Sequence, residues 1–409
     1  MAKEKTTVKQ ADDFDKILDG LEKQFGEGNI FNGEDAALKD KTIQFDAPRL
    51  TWAYGGAFKL NAIHRFNGKE SGGKTTLCTY IAGQCQLAKF KEHGDWTYSH
   101  VVILDNERSF DVKHAENLGL KLIDPDTGKS LVHVVRNLYV DDQEVAYEKM
   151  VISGRVCCCI YDSDAAGIDK TSFGEIGNTE MSKANFGSGA KANGMVIKRM
   201  NYFVDKYSTP VLWISQERAN QNMMSHLPSV TGGEAVNFYP STRFRVTPKD
   251  QITRNGEIVG ITMKIKNYKN KTGQPFRECL LDLYFKDGPD FKAGIDGEGQ
   301  YIDMLIELDI IKQHGAWYYM NEDNPDKLIK MQGRAGIQEY FKEHPDEYKD
   351  AKKMVDDVMS GISALDANTV QVDEEVEFQK EQKEIQEKRN KALESLAEQA
   401  MESEEESAE

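Results

Sequence analysis

A glycine-rich stretch at residues 66–76 constrains the fold of this chain more than any other feature. It fits the pattern G-x-x-x-x-G-K-[ST], and residues 77–88 have the periodicity of the helix that such a loop opens. Backbone N–H groups of the loop would converge on phosphate oxygens at the positive end of that helix. The stretch therefore predicts a phosphate-binding loop, with a chance glycine-rich turn as the alternative. The loop comprises Gly68, Lys69, Glu70, Ser71, Gly72, Gly73, Lys74, Thr75 and Thr76.

Three side chains of the predicted site follow from this chemistry. Lys74 would reach the β- and γ-phosphates of ATP, and the Thr75 hydroxyl would ligate Mg²⁺. Residues 156–163 form an apolar run that ends in Asp162 and Ser163, the pattern of a buried strand whose acid holds Mg²⁺ through its water shell. The sequence thus predicts ATP and Mg²⁺ as the bound cofactors.

A second apolar run, residues 101–105, predicts a strand of a parallel sheet that is buried on both faces. Glu107 follows this run. Because ligands of open α/β sheets lie outside the carboxyl ends of the strands, Glu107 is placed where a general base is needed. The alternative is an ordinary solvated glutamate in a strand-to-helix turn.

The composition excludes several classes of protein. The 409 residues are 39% hydrophobic and 29% charged, which indicates a globular chain rather than a disordered one. No apolar run reaches the length of a membrane helix, and residues 1–10 are polar, so we expect a cytoplasmic protein with no membrane partner. The six cysteines lack metal-ligand spacing, and a buried strand is expected for the three at 157–159.

The net charge of −16 is unevenly distributed. Residues 373–409 hold fourteen acidic and five basic side chains, the composition of an acidic tail that is typically solvated. The overall acidity is therefore compatible with a local basic groove.

Two stretches without periodicity follow predicted core strands. Residues 174–194 hold several glycines with Lys183 and Lys191, and residues 217–233 hold Arg218 and Asn220. Because long loops inside an α/β core are uncommon unless functional or disordered, we expect ligand-responsive lids or nucleic-acid-contacting loops, with mobile surface as the alternative. Between them the sequence predicts a helix at 195–207 and a strand at 211–215, which Gln216 follows.

The remaining segments extend this core at both ends. Alternating apolar residues from 242 to 287 predict antiparallel hairpins; their basic run, 264–271, is either a solvated edge strand or aims lysines at phosphates. A helix at 301–311, a strand at 315–319 and a helix at 333–357 broken at Pro345 predict a small α/β module. An amphipathic helix at 12–26 packs either on its own domain or on a neighbouring subunit.

Taken together, these segments resemble the RecA family of homologous-recombination ATPases from about residue 14 to residue 361. The similar segments are the helix at 21–30, the loop at 68–76, the turn Asp105-x-Glu107-x-x-x-Asp111, and residues 162–163, 174–177, 216–218, 231–241, 269–276 and 315–318. Three departures stand out: Lys69 replaces a proline, Asn237 replaces a usual lysine, and residues 181–189 include an insertion.

The resemblance implies an α/β fold in four parts. An N-terminal polymerisation helix and linker would occupy residues 1–40, and the RecA-like P-loop ATPase core with its DNA-binding loops would occupy residues 41–288. That core would be a mostly parallel twisted sheet flanked by helices. A small C-terminal α/β domain at 289–362 and a charged, acidic tail at 363–409 would follow.

The resemblance also implies roles for individual residues. Glu107 would activate the attacking water, Lys74 and Gln216 would contact the phosphates, and Lys269 and Lys271 would reach across a subunit interface to the neighbour's ATP. Asp111 and His114 would belong to the nucleotide pocket. The DNA-binding residues implied are Lys183, Lys191, Arg218, Asn220, Gly232 and Gly233.

The implied function is an ATP-dependent recombinase of DNA repair. Such a protein forms a filament on single-stranded DNA, pairs it with homologous duplex DNA and exchanges strands. Its partners would be both DNAs, further copies of itself, and mediator and single-strand-binding proteins. Two alternatives remain open: a ring-forming helicase motor with the same core, and a non-catalytic filament scaffold.

Overall fold

The fold is known from a computed structural model. It describes residues 14, 16–24, 41–169, 188–218, 229–230, 233–289, 291–322, 324 and 327–365. These residues divide into two compact units, one within residues 1–300 and the other within residues 301–409. The predicted four-part division remains a prediction.

A ten-stranded sheet forms the centre of the first unit. Its strand order is β12-β11-β10-β9-β3-β7-β6-β4-β5, and β8 pairs with β7. The segment from β9 to β5 is parallel throughout, and β10, β11 and β12 continue it antiparallel. In chain order the strands are β1 (Thr42–Ile43), β2 (Phe58–Lys59), β3 (Ile63–Gly68), β4 (His100–Asp105), β5 (Val132–Val135), β6 (Val156–Asp162), β7 (Val211–Arg218), β8 (Ser229–Val230), β9 (Thr242–Arg254), β10 (Glu257–Asn270), β11 (Glu278–Tyr284), β12 (Gly294–Ile295), β13 (Ile311–His314), β14 (Trp317–Met320) and β15 (Ile329–Gln332).

Helices cover both faces of this sheet. In chain order the described α-helices of the two units together are α1 (16–24), α2 (Pro48–Ala53), α3 (Lys74–His93), α4 (Val112–Asn117), α5 (Val140–Val151), α6 (Ser188–Tyr207), α7 (Gly233–Phe238), α8 (Gly297–Glu307), α9 (Gly333–Glu343) and α10 (Pro345–Leu365). Helix α3 ends where Gly94 adopts φ +68°, and the Gly94 N–H donates to Phe90 O at 2.7 Å. This left-handed glycine cap is a common helix stop. No helix in the described ranges is long and apolar enough to cross a membrane.

Side chains alternate between two apolar layers because successive residues of a strand point to opposite faces. Phe66 and Ile214 join the cluster that packs against α3, whereas Ile63 and Trp213 join the cluster beneath α5 and α6. The six cysteines are all buried free thiols, three of them in β6 as predicted: Cys78, Cys85, Cys157, Cys158, Cys159 and Cys279.

The hairpins are confirmed, with one interpretation corrected. Asn255 and Gly256 turn β9 into β10 with φ of +51° and +81°, the left-handed pair that a two-residue hairpin requires. The basic run 264–271 belongs largely to β10, which lies between β9 and β11. It is not an edge strand, because both neighbours pair with it through the backbone.

Two element boundaries of the first unit also differ from prediction. Helix α6 begins at Ser188 rather than at 195, and Lys191 therefore lies on a helix; burial of Ala192 and Asn193 outweighs the poor helix propensity of the nearby glycines. Strand β7 continues to Arg218, because Gln216 pairs with Gly68 of β3 and the next two residues pair with β8.

The second unit contains a three-stranded antiparallel sheet of β13, β14 and β15 with helices α9 and α10. A break at Pro345 separates the two helices, as predicted, because a proline is tolerated in the first turn of a helix and not in its interior. Helix α8 ends at Glu307, four residues earlier than predicted, since Ile311 already pairs with Met320 in the sheet.

Candidate nucleotide-binding site

The glycine-rich loop joins β3 to α3 with little room for side chains. Gly73 adopts φ +89° immediately before α3 begins at Lys74. A Cβ on Gly68 would lie 2.3 Å from Val246 O, and one on Gly73 would lie 2.4 Å from Met263 Sδ. A larger residue at either position would collide with β9 or β10, which explains why both are glycine. The absence of side chains lets the backbone of β9 and a side chain of β10 pack directly against the loop.

Lys74 lies folded over this loop. Its Nζ donates to Lys69 O at 2.7 Å and to Gly68 O at 3.2 Å, and only 7% of the residue is exposed. Burial lowers the pKa of Lys74, an effect that the nearby carboxylates of Glu107 and Asp162 oppose. The amine is thus held by backbone carbonyls in a place where a phosphate oxygen would be a stronger partner.

Thr75 and Asp162 meet at the carboxyl ends of the strands. Thr75 Oγ1 donates to Asp162 Oδ2 at 2.7 Å, and Ser109 Oγ donates to the same oxygen at 3.3 Å. Asp162 Oδ1 is buried and has no hydrogen-bond partner among the described residues. Burial, together with the nearby carboxylates of Glu107 and Asp105, raises the pKa of Asp162 to about 6.

This donor set fits a Mg²⁺ ion. A hydroxyl and a carboxylate with an unpaired oxygen are hard oxygen ligands of the kind that Mg²⁺ prefers. The described residues contain no group of three or more His, Cys, Asp or Glu side chains able to hold a metal. Thr75 and Asp162 would therefore need phosphate oxygens and water to complete the octahedral shell.

Glu107 lies beside this pair. Its Oε1 accepts a short hydrogen bond from Ser163 Oγ and one of 2.6 Å from Gln216 Nε2. The backbone N–H of Glu107 also donates to Asp162 O at 3.3 Å. The structure thus brings together Glu107, Gln216 and Asp162, three residues that the sequence assigned separately.

Two predicted pocket residues lie at the start of α4. Asp111 Oδ1 accepts from the His114 backbone N–H at 2.6 Å and thereby caps the helix. The His114 ring is 3.1 Å from Thr76 Oγ1 in the glycine-rich loop. Both residues therefore border the predicted pocket, and their contact with a nucleotide remains a prediction.

Lys269 and Lys271 do not join this group. Asn270, between the two lysines, pairs with Thr242 of β9, and Thr242 pairs with His64 near the start of β3. The glycine-rich loop begins at Gly68, at the other end of the same strand. At about 3.3 Å per residue, His64 and Gly68 are roughly 13 Å apart along β3. We call the sheet edge with Gly68, Glu107 and Asp162 the loop edge.

The opposite edge, with Arg243, Lys269 and Lys271, is here called the basic edge. Lys269 Nζ donates to Asn237 O at 2.9 Å and to Phe238 O at 3.0 Å, and Lys271 Nζ donates to Phe238 O at 3.3 Å. Burial, together with the cations of Lys271, Arg243 and Arg65, lowers the pKa of Lys269 to about 8.

The predicted DNA-binding residues are only partly described. Lys191 is exposed on α6, Arg218 is the last residue of β7, and Gly233 is the first residue of α7. Lys183, Asn220 and Gly232 lie outside the described residues.

The sequence reasoning missed several polar residues around the site. Arg136 pairs with Asp105 at the loop edge, and Glu217 accepts from Asn67 and from Arg245 at 2.8 and 2.7 Å. A buried Arg65 also lies within β3. The available signal was a charged or amide side chain inside an apolar strand, at positions 65 and 67, which has to find a polar partner when buried.

A mostly parallel sheet, a glycine-rich loop before α3 and an acid at the end of β6 define a P-loop nucleotide-binding protein. Comparison with known proteins narrows this class. The RecA N-terminal domain model matches residues 12–290 and the RecA C-terminal domain model matches residues 299–360.

Individual relatives agree with this. Protein RecA of Bacillus pumilus (strain SAFR-032) is 30% identical over 375 residues, covering 90% of this chain and 97% of that protein. Protein RecA of Listeria monocytogenes serotype 4a (strain HCC23) is 30% identical over 349 residues, covering 83% and 90%. The chain therefore belongs to the RecA family. That membership supports a general role in DNA recombination and repair, with nucleotide binding.

Proposed function

We propose that this protein is a DNA-dependent ATPase that forms filaments on single-stranded DNA and catalyses homologous pairing and strand exchange. The observation that carries the proposal is the separation of the basic edge from the loop edge. The residues for binding ATP and activating water converge at one edge, whereas the lysines assigned to phosphate contact lie at the other. A second protomer would bring the two edges together around one nucleotide.

At the loop edge, the glycine-rich loop would bind the phosphates of ATP. Lys74 would exchange its two carbonyl contacts for phosphate oxygens, a charge-assisted interaction that is roughly twice as strong. Thr75 and Asp162 would hold Mg²⁺, which when bound neutralises charge on the phosphate oxygens. Asp111 and His114 would border the base of the nucleotide.

Glu107 would act as the general base. The hydrogen bonds from Ser163 and Gln216 fix the direction of its carboxylate, so that a water beside the γ-phosphate would meet an oriented acceptor. Gln216 would respond to the γ-phosphate by changing this contact. Because β7 carries Gln216 directly into the second predicted DNA loop, such a change would link hydrolysis to DNA binding.

At the basic edge, Lys269 and Lys271 would contact the nucleotide of the neighbouring protomer and neutralise charge that develops during phosphoryl transfer. Two apolar side chains support assembly, because Phe14 and, on helix α1, Ile17 are 61% and 56% exposed. Exposed apolar side chains on a terminal helix fit a docking role better than packing on its own domain.

DNA contacts are proposed for both loops and for the residues beside them. Lys183, Lys191, Arg218, Asn220, Gly232 and Gly233 would contact the DNA, and the acidic tail would compete with DNA for basic surface. We expect the protein to act in the cytoplasm together with mediator and single-strand-binding proteins.

The proposal is tested by ATP hydrolysis with and without single-stranded DNA, together with joint formation between that strand and a homologous supercoiled duplex. We expect DNA to stimulate turnover and joints to form only with homologous duplex. Stimulated turnover with unwinding of annealed strands and no joints would instead identify a helicase motor. DNA filaments without phosphate release would identify a non-catalytic scaffold.

A further inference from the structure

A fully buried arginine connects three segments between the two edges. Arg65 lies in β3 on the face covered by α5, α6 and α7, and its exposed fraction is 0%. Its Nε donates to Ser215 Oγ of β7 at 2.9 Å. Its Nη1 donates to Val236 O at 3.3 Å and to Asn237 Oδ1 at 2.5 Å, both in α7. One guanidinium thus joins the strand before Gln216 to the last turn of α7.

A buried carboxylate completes this connection. Asp164, two residues after Asp162, places Oδ2 4.0 Å from an Arg65 nitrogen. The same oxygen accepts from Trp213 Nε1 at 3.0 Å and from Ser215 Oγ at 2.5 Å. Burial lowers the pKa of Arg65 to about 10, against the effect of Asp164.

Removing both charges from water is costly, and an apolar pair in this layer would avoid that cost. Stability alone therefore does not explain the buried pair of Arg65 and Asp164, which indicates a further role. Its geometry offers one, because a guanidinium presents a fixed fork of donors that holds several acceptors at defined directions.

The end of α7 is held from the other side by the lysines of the basic edge. Asn237 accepts from Arg65 through Oδ1 and from Lys269 through its carbonyl oxygen. Phe238 O accepts from both Lys269 and Lys271, and Arg243 donates to Asn237 Oδ1 at 3.2 Å. Arg65 binds Val236 and Asn237, and the two lysines bind Asn237 and Phe238, so Asn237 is contacted by both Arg65 and Lys269. A shift of the end of α7 would therefore move the lysine ammonium groups.

We propose that Arg65 is a positioning residue which, by fixing Asn237 and the end of α7, keeps Lys269 and Lys271 directed at the neighbouring protomer's nucleotide. This inference rests on the proposed function. It also accounts for Asn237, which stands where the family usually has lysine: a lysine there would face Arg65, Arg243 and Lys269. In this chain the cation comes from β3, and position 237 supplies the acceptor.

The first test is Arg65→Lys, which keeps the positive charge but removes the guanidinium and its fixed directions of hydrogen bonding. We expect the DNA-stimulated kcat to fall by roughly tenfold to a hundredfold, the range that misplacement of a phosphate-contacting group produces. ATP affinity of the dilute protomer should not change, because the loop edge is intact. Arg199→Lys is the matched control, since Arg199 is an exposed arginine that pairs with Glu144 and Glu148 on α5.

Mixing protomers separates this role from a general structural one. If Arg65 acts through its own lysines, Arg65→Lys mixed with Glu107→Gln should exceed the mean activity of the two parents, because some interfaces then combine an intact Glu107 with an intact basic edge. Mixed with Lys269→Ala, it should only equal that mean. The opposite pattern would assign Arg65 to its own nucleotide and overturn the inference, as would an unchanged kcat.

Substitutions of Asn237 test the same inference if Arg65 variants fold poorly, because Asn237 is exposed whereas Arg65 is buried. Asn237→Asp should retain turnover, since it gives Arg65 a charged acceptor. Asn237→Ala should lower turnover, and Asn237→Lys should lower it most. Equal turnover in all three would contradict the inference. Failure of the proposed function is distinguishable, because the unaltered protein would then show no DNA-stimulated hydrolysis.

Discussion

The two edges of the central sheet shift the pKa of a buried group in opposite directions, upward for an acid at one edge and downward for a base at the other. At the loop edge, burial beside Asp105 and Glu107 raises the pKa of Asp162 to about 6. At the basic edge, burial beside other cations lowers the pKa of Lys269 to about 8. Each environment therefore disfavours the charged form of its own central group.

The difference fits the proposal that each edge is half of a site. A cation bound at the loop edge would favour the charged form of Asp162, and a phosphate bound at the basic edge would favour the charged form of Lys269. A nucleotide with Mg²⁺ carries both, and within one chain the two edges lie at opposite ends of β3. Head-to-tail assembly is the simplest way to join unlike edges, and such contacts generate open filaments when the rotation does not close.

The largest expected effect comes from removing the base at the loop edge. Glu107→Gln should lower ATP turnover by about 10²- to 10⁴-fold, the usual contribution of a general base, while ATP-dependent DNA binding persists. Phosphate release and DNA binding measured on the same preparation check this. Glu116→Gln, an exposed glutamate of α4, is the control and should behave as the unaltered protein. Unchanged turnover in Glu107→Gln would remove Glu107 from the mechanism.

A mixing experiment tests whether the two edges act across an interface. Glu107→Gln and Lys269→Ala should each be inactive alone. Mixed in equal amounts they should recover about a quarter of the unaltered activity, because a head-to-tail interface then has about one chance in four of combining both intact edges. Turnover in the mixture is the measurement. If it stays at the parental level, both edges serve one chain's own nucleotide.

The raised pKa of Asp162 predicts an effect of this residue on the stability of the fold. Asp162→Asn should abolish turnover but raise the free energy of unfolding at pH 7 by up to about 2–3 kcal/mol, because it removes a buried charge whose pKa is raised.

The sign of the pH dependence provides the check. The folded pKa of Asp162 lies above its unfolded value, so the folded state takes up a proton as pH falls through about 6 and gains stability relative to pH 7. Urea unfolding at pH 7 and pH 5 should therefore show the difference between the two proteins shrinking at the lower pH. A variant less stable than the unaltered protein at pH 7 would contradict this.

The smallest effect concerns the basic edge. As pH rises through about 8, Lys269 loses its proton, and ATP-dependent self-association should weaken several-fold. Lys269→Arg should remove that step, because a guanidinium stays charged at this pH. Light scattering or sedimentation between pH 7 and pH 9 measures the change. A midpoint that is the same in both proteins would assign the titration to another group.

The parts of the site that depend on local spacing could be predicted from the sequence. The glycine-rich loop, the acid at the end of β6 and the turn at Glu107 are each set by a few neighbouring residues, and the structure brings them together. The hairpin turn at Asn255 is of the same kind, because its left-handed backbone is a local requirement.

The parts that depend on which strands become neighbours could not be predicted. The distance of Lys269 from the loop edge follows from the register of β10 on β9 and of β9 on β3. The contacts of Arg65 join residues 150 and 172 positions apart in the chain. A charged residue in β3 signals that a partner exists, but only the three-dimensional arrangement identifies Ser215 and Asn237.

The buried cysteines have a consequence for how the protein tolerates oxidants. Peroxides and alkylating agents attack the thiolate, and all six thiols are shielded from solvent. Burial also raises the pKa of Cys78, Cys157 and Cys158, so almost none of each is ionised at neutral pH. Oxidative conditions that damage DNA should therefore leave these side chains intact. A cysteine introduced on α4, as Glu116→Cys, would provide a selective exposed position for a chemical label.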